Sequence, residues 1–405
     1  MAPPPSQDGD PEAVPAGESE IRCFVERYVR DLKAAGAIRS PGVERAFLKV
    51  ERHRLLETFH HRAAGSRSAG TIHHDPGRPR HDHLELIYSD TPLVTRSVDG
   101  MPTSSSSQPS LVAGMAELLD LADGLKVLEV GAGTGYNAAL MAEMVGGQGL
   151  VVTVDVLDDV VGQTTRLLAG AGYPQIRVLL RDGFEGVPEE APFDRIVATV
   201  GCSDLSPRWA GQLADGGTML VPLEHAGGHP LLLIRKENGE LHGRVAMWTG
   251  FMPIRGPLHI EELWSRGVIQ PETEKPVRQR DPWPGFAAER PTGPPGSLCL
   301  SADETDFLFF LGLHDRRACM APQGPGLSDG FNGWAAAGPE GMWWWKDASL
   351  AHELDRLYQG WDAKGRPAIG DYQVSFQPVQ ADFDPAPGGW QIERRFFREL
   401  LTASS

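Results

Sequence analysis

Six residues constrain this chain more than any others: Gly131-Ala132-Gly133-Thr134-Gly135-Tyr136, set between the apolar stretch Lys126–Val130 and a helical pattern over Asn137–Val145. Glycines permit a sharp turn and let a ligand approach the main chain closely. A strand, a glycine turn and a helix in succession predict a parallel α/β unit that binds its ligand at the carboxyl ends of the strands. The alternation continues on both sides. Leu111–Leu121, Val160–Ala171 and Pro207–Leu213 read as helices; Leu150–Val156, Ile176–Leu180, Arg195–Val200 and Thr218–Pro222 read as strands. Leu231–Lys236 and Arg244–Met252, joined at Asn238-Gly239, predict a hairpin on the sheet's antiparallel edge. The expected fold is a doubly wound, Rossmann-like α/β sheet with that edge hairpin, followed by a smaller α+β carboxyl-terminal domain.

The loop also selects its ligand. A dinucleotide turn, G-x-G-x-x-G, would place its third glycine at position 136, where Tyr136 stands. Glu129 precedes the first glycine by two residues, giving E-x-G-x-G-x-G, a pattern suited to S-adenosylmethionine, whose ammonium favours an acidic pocket. Asp155, closing the next strand, can accept from two ribose hydroxyls. Asp182, after Ile176–Leu180, can accept from an adenine amino group. Candidate cofactor residues are therefore Glu129, Gly131, Gly133, Gly135, Tyr136, Asp155, Asp182 and Gly183. Three acidic or glycine features in register at successive strand ends specify far more than one glycine turn.

Charge and composition narrow the partners. The net charge is −16, and no basic block stands out, so nucleic acid is not an expected partner. No apolar run is long enough for a membrane span. Cys23, Cys202, Cys299 and Cys319 are scattered without a CxxC pair, which fits free thiols in a reducing cytoplasm and no zinc site. Residues 1–20, rich in Pro, Gly and acid, read as a disordered tail. Residues 21–59 read as helical, with a second helix over Pro41–Val50, and Arg62–His83 as loop. Seven histidines cluster here: His53, His60, His61, His73, His74, His81 and His83. Their surroundings suit a lid over an acidic peptide better than a metal site. Residues 257–295 are Pro-rich and read as a linker. Residues 296–405, with Phe307–Leu313 as core and three adjacent indoles, Trp343-Trp344-Trp345, read as a separate recognition domain. Those indoles cannot all face one core from a regular strand.

Four further stretches carry a resemblance. Ala46-Phe47-Leu48-Lys49-Val50-Glu51-Arg52-His53, Tyr88-Ser89-Asp90-Thr91-Pro92-Leu93, Ser105-Ser106-Ser107-Gln108-Pro109 and Gly250-Phe251-Met252-Pro253-Ile254, with the glycine loop and Arg181-Asp182-Gly183, resemble the protein-L-isoaspartate O-methyltransferase family over residues 20–256. Glu51 stands where the family has proline, and Ser106 where it has isoleucine. The link Val94–Thr103 is longer than the family's. Residues 257–405 have no expected counterpart in an ordinary repair enzyme. Such an extension is similar to homologues that modify ribosomally made peptides, lanthipeptides and graspetides. The resemblance thus implies methylation of an Asp side chain in a dedicated peptide, the ester closing to succinimide (aspartimide) or giving isoaspartate. The alternatives are repair of isoaspartyl residues in damaged proteins and a non-catalytic cofactor-binding protein. A monomer is favoured.

The chemistry needs no general base, because a carboxylate with pKa about 4 is already ionised at neutral pH. By the resemblance, Ser107 orients the reacting carboxylate, assisted by Ser105, and Thr199, Val200, Gly201 and Cys202 meet the substrate backbone. Ser107 could instead cap the helix that starts near Pro109.

Overall fold

A computed structural model describes residues 15–61, 69–99, 101–260, 275–279, 286, 300–381 and 389–403. The predicted tail over residues 1–20, the linker over 257–295, the loop over Arg62–His83 and the thiol of Cys299 lie partly or wholly outside these residues. The chain forms two compact units. One combines the residues up to Glu117 with Gly133–Met144 and Gly162–Ile176; the other combines Leu118–Ala132, Val145–Val161 and everything from Arg177 onward.

In the first unit, α1 (Glu18–Ala34) buries Phe24, Val25, Tyr28, Val29 and Leu32 along one face, the three- and four-residue spacing of an amphipathic helix. The helix stops at Gly36, whose φ is +74°. Ser40 then caps α2 (Pro41–Lys49), with Pro41 at its first position. The helical reading of residues 21–59 is corrected beyond Lys49. Thr58–His61 is a strand, β1, paired antiparallel with β2 (Gly70–His73). That pairing also corrects the loop reading of Arg62–His83, as does helix α3 (His81–Ile87). Strands of four residues are too short to show a period of two, so cross-strand pairing decides here. The link after Leu93 is a hairpin, β3 (Leu93–Val98) and β4 (Met101–Ser106). The sheet order is β2-β1-β3-β4. Helix α4 (Pro109–Leu119) follows.

The second unit carries the predicted parallel sheet. Its strands are β5 (Lys126–Val130), β6 (Leu150–Asp155), β7 (Arg177–Leu180), β8 (Phe193–Ala198) and β9 (Leu213–Pro222); along the chain they alternate with α5 (Tyr136–Val145), α6 (Asp158–Gly170) and α7 (Pro207–Gln212), of which nearly all of α5 and most of α6 belong to the first unit. Val127, Leu128, Val151, Val152, Val154, Ile196, Val197 and Ala198 are all buried, as expected of parallel strands covered on both faces. β10 (Leu231–Glu237) and β11 (Glu240–Met247) form the predicted hairpin, with Asn238 and Gly239 at φ +53° and +83°.

That hairpin is not the edge. The small strand β12 (Val277–Gln279) precedes helix α8 (Ala302–His314), four strands β13 (Ala318–Ala321), β14 (Gly324–Ser328), β15 (Trp334–Gly338) and β16 (Gly341–Trp345), and helix α9 (Ala348–Ala363). The chain then returns as β17 (Tyr372–Pro378), which pairs with β11, while β18 (Trp390–Glu393) and β19 (Phe397–Ala403) complete the sheet. The full order is β18-β19-β17-β11-β10-β9-β8-β5-β6-β7. The boundary drawn at residue 256 therefore falls inside one continuous ten-stranded sheet. No hydropathy signal marks this, because a strand's partner is not written in its own residues.

A second sheet runs β12-β16-β15-β14-β13. Phe307, Leu308, Phe309, Phe310 and Leu311 of α8 are all buried. Helix α8 meets β13 and β14 on one side and β18 on another, which explains a helix that is apolar nearly all round. Alternation along β16 places Trp344 against the main core and Trp343 and Trp345 beside Trp334 on the opposite face. Arg278 lies 5.3 Å from the Trp343 ring centroid. Among the described residues, no helix is long and apolar enough to cross a membrane.

Candidate active site

The carboxyl ends of β5, β6 and β7 bring three acids to adjacent strand ends of the second unit. Glu129 is buried on β5. The chain then turns at Gly131, where φ is +105° and a Cβ would lie 2.6 Å from Thr199 Oγ1. Thr199 donates to the carbonyls of Gly131 (2.7 Å) and Val130 (3.1 Å), pinning the turn to the end of β8. Asp155 accepts from the Ala132 amide at 3.2 Å and from the Leu157 amide at 3.1 Å. Each carboxylate oxygen is thereby oriented and keeps further acceptor capacity. Val156, 40% exposed, offers an apolar surface next to it. Asp182 accepts from the Phe184 amide at 2.9 Å. Gly183 packs so closely on Val130 that a Cβ would fall 2.4 Å from its side chain. Fixed carboxylates, an apolar surface and a glycine cradle fit S-adenosylmethionine, which combines an ammonium, a cis-diol and a purine.

Gly133, Gly135 and Tyr136 belong to the first unit. Thr164 donates to the Gly133 carbonyl at 2.6 Å. Gly135, at φ +80°, has no room for a Cβ, which would lie 2.9 Å from Leu168. Tyr136 is buried, its hydroxyl 3.2 Å from that of Tyr28, and burial pushes it up to about 12.

Ser105 and Ser107 flank the end of β4. Ser105 pairs with Val94. Ser107 is held by its carbonyl, which accepts from Arg52 at 3.0 Å. Arg52 is fully buried. It also donates to the carbonyls of Ile87 (2.7 Å) and Ser106 (3.4 Å) and to the Ser106 hydroxyl (3.2 Å). The capping role goes elsewhere. Asp90 accepts from the Ser110 amide at 2.8 Å and from the Gln108 side chain at 3.1 Å, which is how a cap treats the first turn of a helix. The Ser107 hydroxyl takes no partner among the described residues. Sequence reasoning quoted Arg52 and Asp90 within matching stretches but gave neither a task; a charged residue inside an apolar helix end was the available signal.

The stretch after β8 is densely bonded. Gly201 donates to Met252 O and accepts from the Ile254 amide, both at 2.8 Å. Cys202 donates to Pro222 O and accepts from the Glu224 amide, again at 2.8 Å. The backbones of Gly201 and Cys202 are thus paired within the chain. The His229 ring covers Gly201, where a Cβ would lie 2.3 Å from Nε2. Burial lowers His229 to about 4, so it is neutral at pH 7.

Three of the seven histidines are brought together. His53 Nδ1 lies 2.8 Å from the Tyr88 hydroxyl, His74 Nε2 lies 3.0 Å from His53 O, and His74 and His83 face each other through Nδ1 at 3.3 Å. Burial lowers His53 to about 3 and His74 to about 4. Among the described residues, no three His, Cys, Asp or Glu side chains are placed to hold a metal ion.

The family model described as protein-L-isoaspartate(D-aspartate) O-methyltransferase (PCMT) matches residues 77–258. The protein-L-isoaspartate O-methyltransferase of Methanopyrus kandleri is 36% identical over 240 residues, spanning 58% of this chain and 93% of the relative. The chain belongs to the protein-L-isoaspartate O-methyltransferase family. It is a protein carboxyl methyltransferase that depends on S-adenosylmethionine. The Pyrococcus horikoshii protein-L-isoaspartate O-methyltransferase is 34% identical over 246 residues, 59% of this chain and 96% of its own. A solved protein-L-isoaspartate O-methyltransferase is 25% identical, with a TM-score of 0.51, and covers 87% of this chain and 96% of its own. Residues 1–256 alone cannot supply so large a share. The expectation that residues 257–405 have no counterpart in such an enzyme is therefore corrected.

Proposed function

We propose that this methyltransferase acts on isoaspartyl residues of damaged proteins, esterifying the free carboxylate that isomerisation leaves beside the backbone. The observation that supports it most is Ser107: its carbonyl is clamped by buried Arg52, Asp90 relieves it of helix capping, and its hydroxyl is left for a ligand. Bound S-adenosylmethionine supplies a methyl group on a sulfonium. The Ser107 hydroxyl donates to one carboxylate oxygen and orients the other for attack, with Ser105 beside it. Glu129 faces the ammonium of the cofactor, Asp155 its ribose hydroxyls and Asp182 its purine. Gly131, Gly133, Gly135, Tyr136 and Gly183 shape the cradle. Thr199 and Val200, both half-buried, form the wall that the peptide meets, and the buried, internally paired Gly201 and Cys202 back it instead of meeting the peptide. Alignment of reactants is the main contribution of the protein and is worth up to about 7–11 kcal/mol. After esterification, the following amide nitrogen attacks the ester carbon and methanol leaves, giving the succinimide.

A second reading is methylation of an Asp side chain in a ribosomally made peptide. It draws on the carboxyl-terminal residues beyond the 240–246 aligned with the curated relatives above. Methyl transfer from labelled cofactor to an isoaspartyl peptide and to a cyclised Asp peptide separates the two. Ester formation on the isoaspartyl peptide supports repair; loss of water from the cyclised peptide alone supports the second reading. Ser107→Ala should lower kcat by about 10–100-fold with unchanged affinity for S-adenosylhomocysteine. Unchanged turnover would remove Ser107 from the mechanism.

A further inference from the structure

The loop that follows β8, Cys202–Ser206, is tied down by residues nearly two hundred positions away. The turn between β18 and β19 carries Arg394, whose guanidinium is fully buried. It donates to Ser203 O at 2.8 Å and to Glu224 O at 3.0 Å. Two further bonds, at 2.9 and 2.6 Å, join it to Glu399 Oε2. His225 Nε2 lies 3.0 Å from Arg394 and 3.1 Å from Glu399 Oε1. The same turn is held a second time by Asp204, which accepts from the Phe396 amide at 2.5 Å and from the Leu205 amide at 2.7 Å. Ser203 adds a bond to Glu224 at 2.8 Å and donates its amide to Leu258 O.

A buried ion pair of this kind is a poor source of net stability, since an apolar replacement of similar volume does as well or better. What it does provide is direction. The guanidinium fork fixes two carbonyls at set angles, and those carbonyls belong to Ser203 and Glu224, the residues next to Cys202 and its pairing partner.

We propose that Arg394, Glu399 and Asp204 are positioning residues, through which the carboxyl-terminal hairpin, by way of buried Gly201 and Cys202, sets the Thr199–Val200 wall in the geometry that accepts the peptide. This rests on the proposed role of that wall. The carboxyl-terminal strands thereby act on peptide affinity, while the cofactor residues on β5, β6 and β7 are held by their own backbone bonds.

The test uses the full chain. Arg394→Met with Glu399→Leu removes both charges, so the fold keeps a filled core while the two carbonyls lose their anchor. The expected result is a rise of about tenfold or more in KM for an isoaspartyl peptide, with S-adenosylhomocysteine affinity within about twofold of the parent. Asp204→Asn keeps one of the two acceptors and should raise KM less than Asp204→Ala, which removes both. Parent KM in the double variant would overturn the proposal. Hydrogen exchange of the Ser203–Ser206 amides supplies a readout independent of turnover. Faster exchange there in the double variant supports the clamp, and unchanged protection sinks it. Should the parent itself ignore isoaspartyl peptides, the assigned substrate fails, while the exchange result still decides the clamp.

Discussion

Two buried arginines hold two backbone stretches, and they do so by opposite electrostatic means. Arg52, in the first unit, meets carbonyls and a hydroxyl, with no carboxylate partner among the described residues. Arg394, in the second, meets two carbonyls but is neutralised by Glu399. Loss of Arg52 would leave neutral acceptors unpaired, whereas the carboxylate left by Arg394 would stay charged in a dry interior. The two residues do the same mechanical task with unequal tolerance of loss.

The largest effect therefore belongs to Arg394→Met alone. It should cost about 3–5 kcal/mol in denaturant unfolding, because Glu399 remains as an uncompensated buried charge. Adding Glu399→Leu should recover most of it; equal losses in the single and double variants would break the contrast.

Acid sharpens it further. His53 and His74 titrate near 3 and 4 in the fold, against an ordinary value of 6.5. The unfolded chain binds more protons between those limits, so stability is full above 6.5 and falls as pH drops toward 4. At pH 5 each histidine should have removed about 2 kcal/mol. Burial acts to raise Glu399, but Arg394 and His225 outweigh it and hold the carboxyl at about 2. Its contribution is thus lost only as pH falls from the ordinary carboxylate range toward 2. Between pH 7 and 5 the ion pair should be silent. Asp204 titrates there instead: burial raises it to about 6 and Arg394 lowers it, so the double variant should raise it further and make stability fall more with rising pH in that window; an unchanged slope would contradict this assignment.

The smallest effect is expected from Arg52→Met, about 1–2 kcal/mol, since its acceptors are neutral. Its signature should be kinetic: turnover should fall as it does in Ser107→Ala, with cofactor affinity preserved. A stability loss as large as that of Arg394→Met would erase the distinction between the two.

Legibility followed sequence distance. Glu129, the glycine turn, Asp155 and Asp182 lie at the ends of consecutive strands, so the alternating pattern was enough to find them. Ser107 was singled out through a short contiguous motif, yet its freedom from capping depends on Asp90, which no local pattern reveals. Thr58–His61 and Gly70–His73 were missed because each strand is defined by its partner. Arg394 gave no signal at all. Ser203, Glu224 and His225, which its guanidinium meets, are about 170–190 residues away, and a buried arginine on a turn looks from sequence like an exposed one.

The pairing of β17 with β11 also bears on how the molecule is made. About 125 residues of chain separate Met247 from Tyr372, so β11 is synthesised long before β17, the strand that shields it. Until then, its row of unpaired amides and carbonyls is an open template for a neighbouring nascent chain. Ribosome-bound intermediates stalled before Tyr372 should be the species that chaperones retain, and the pairing of β17 with β11 should mark their release.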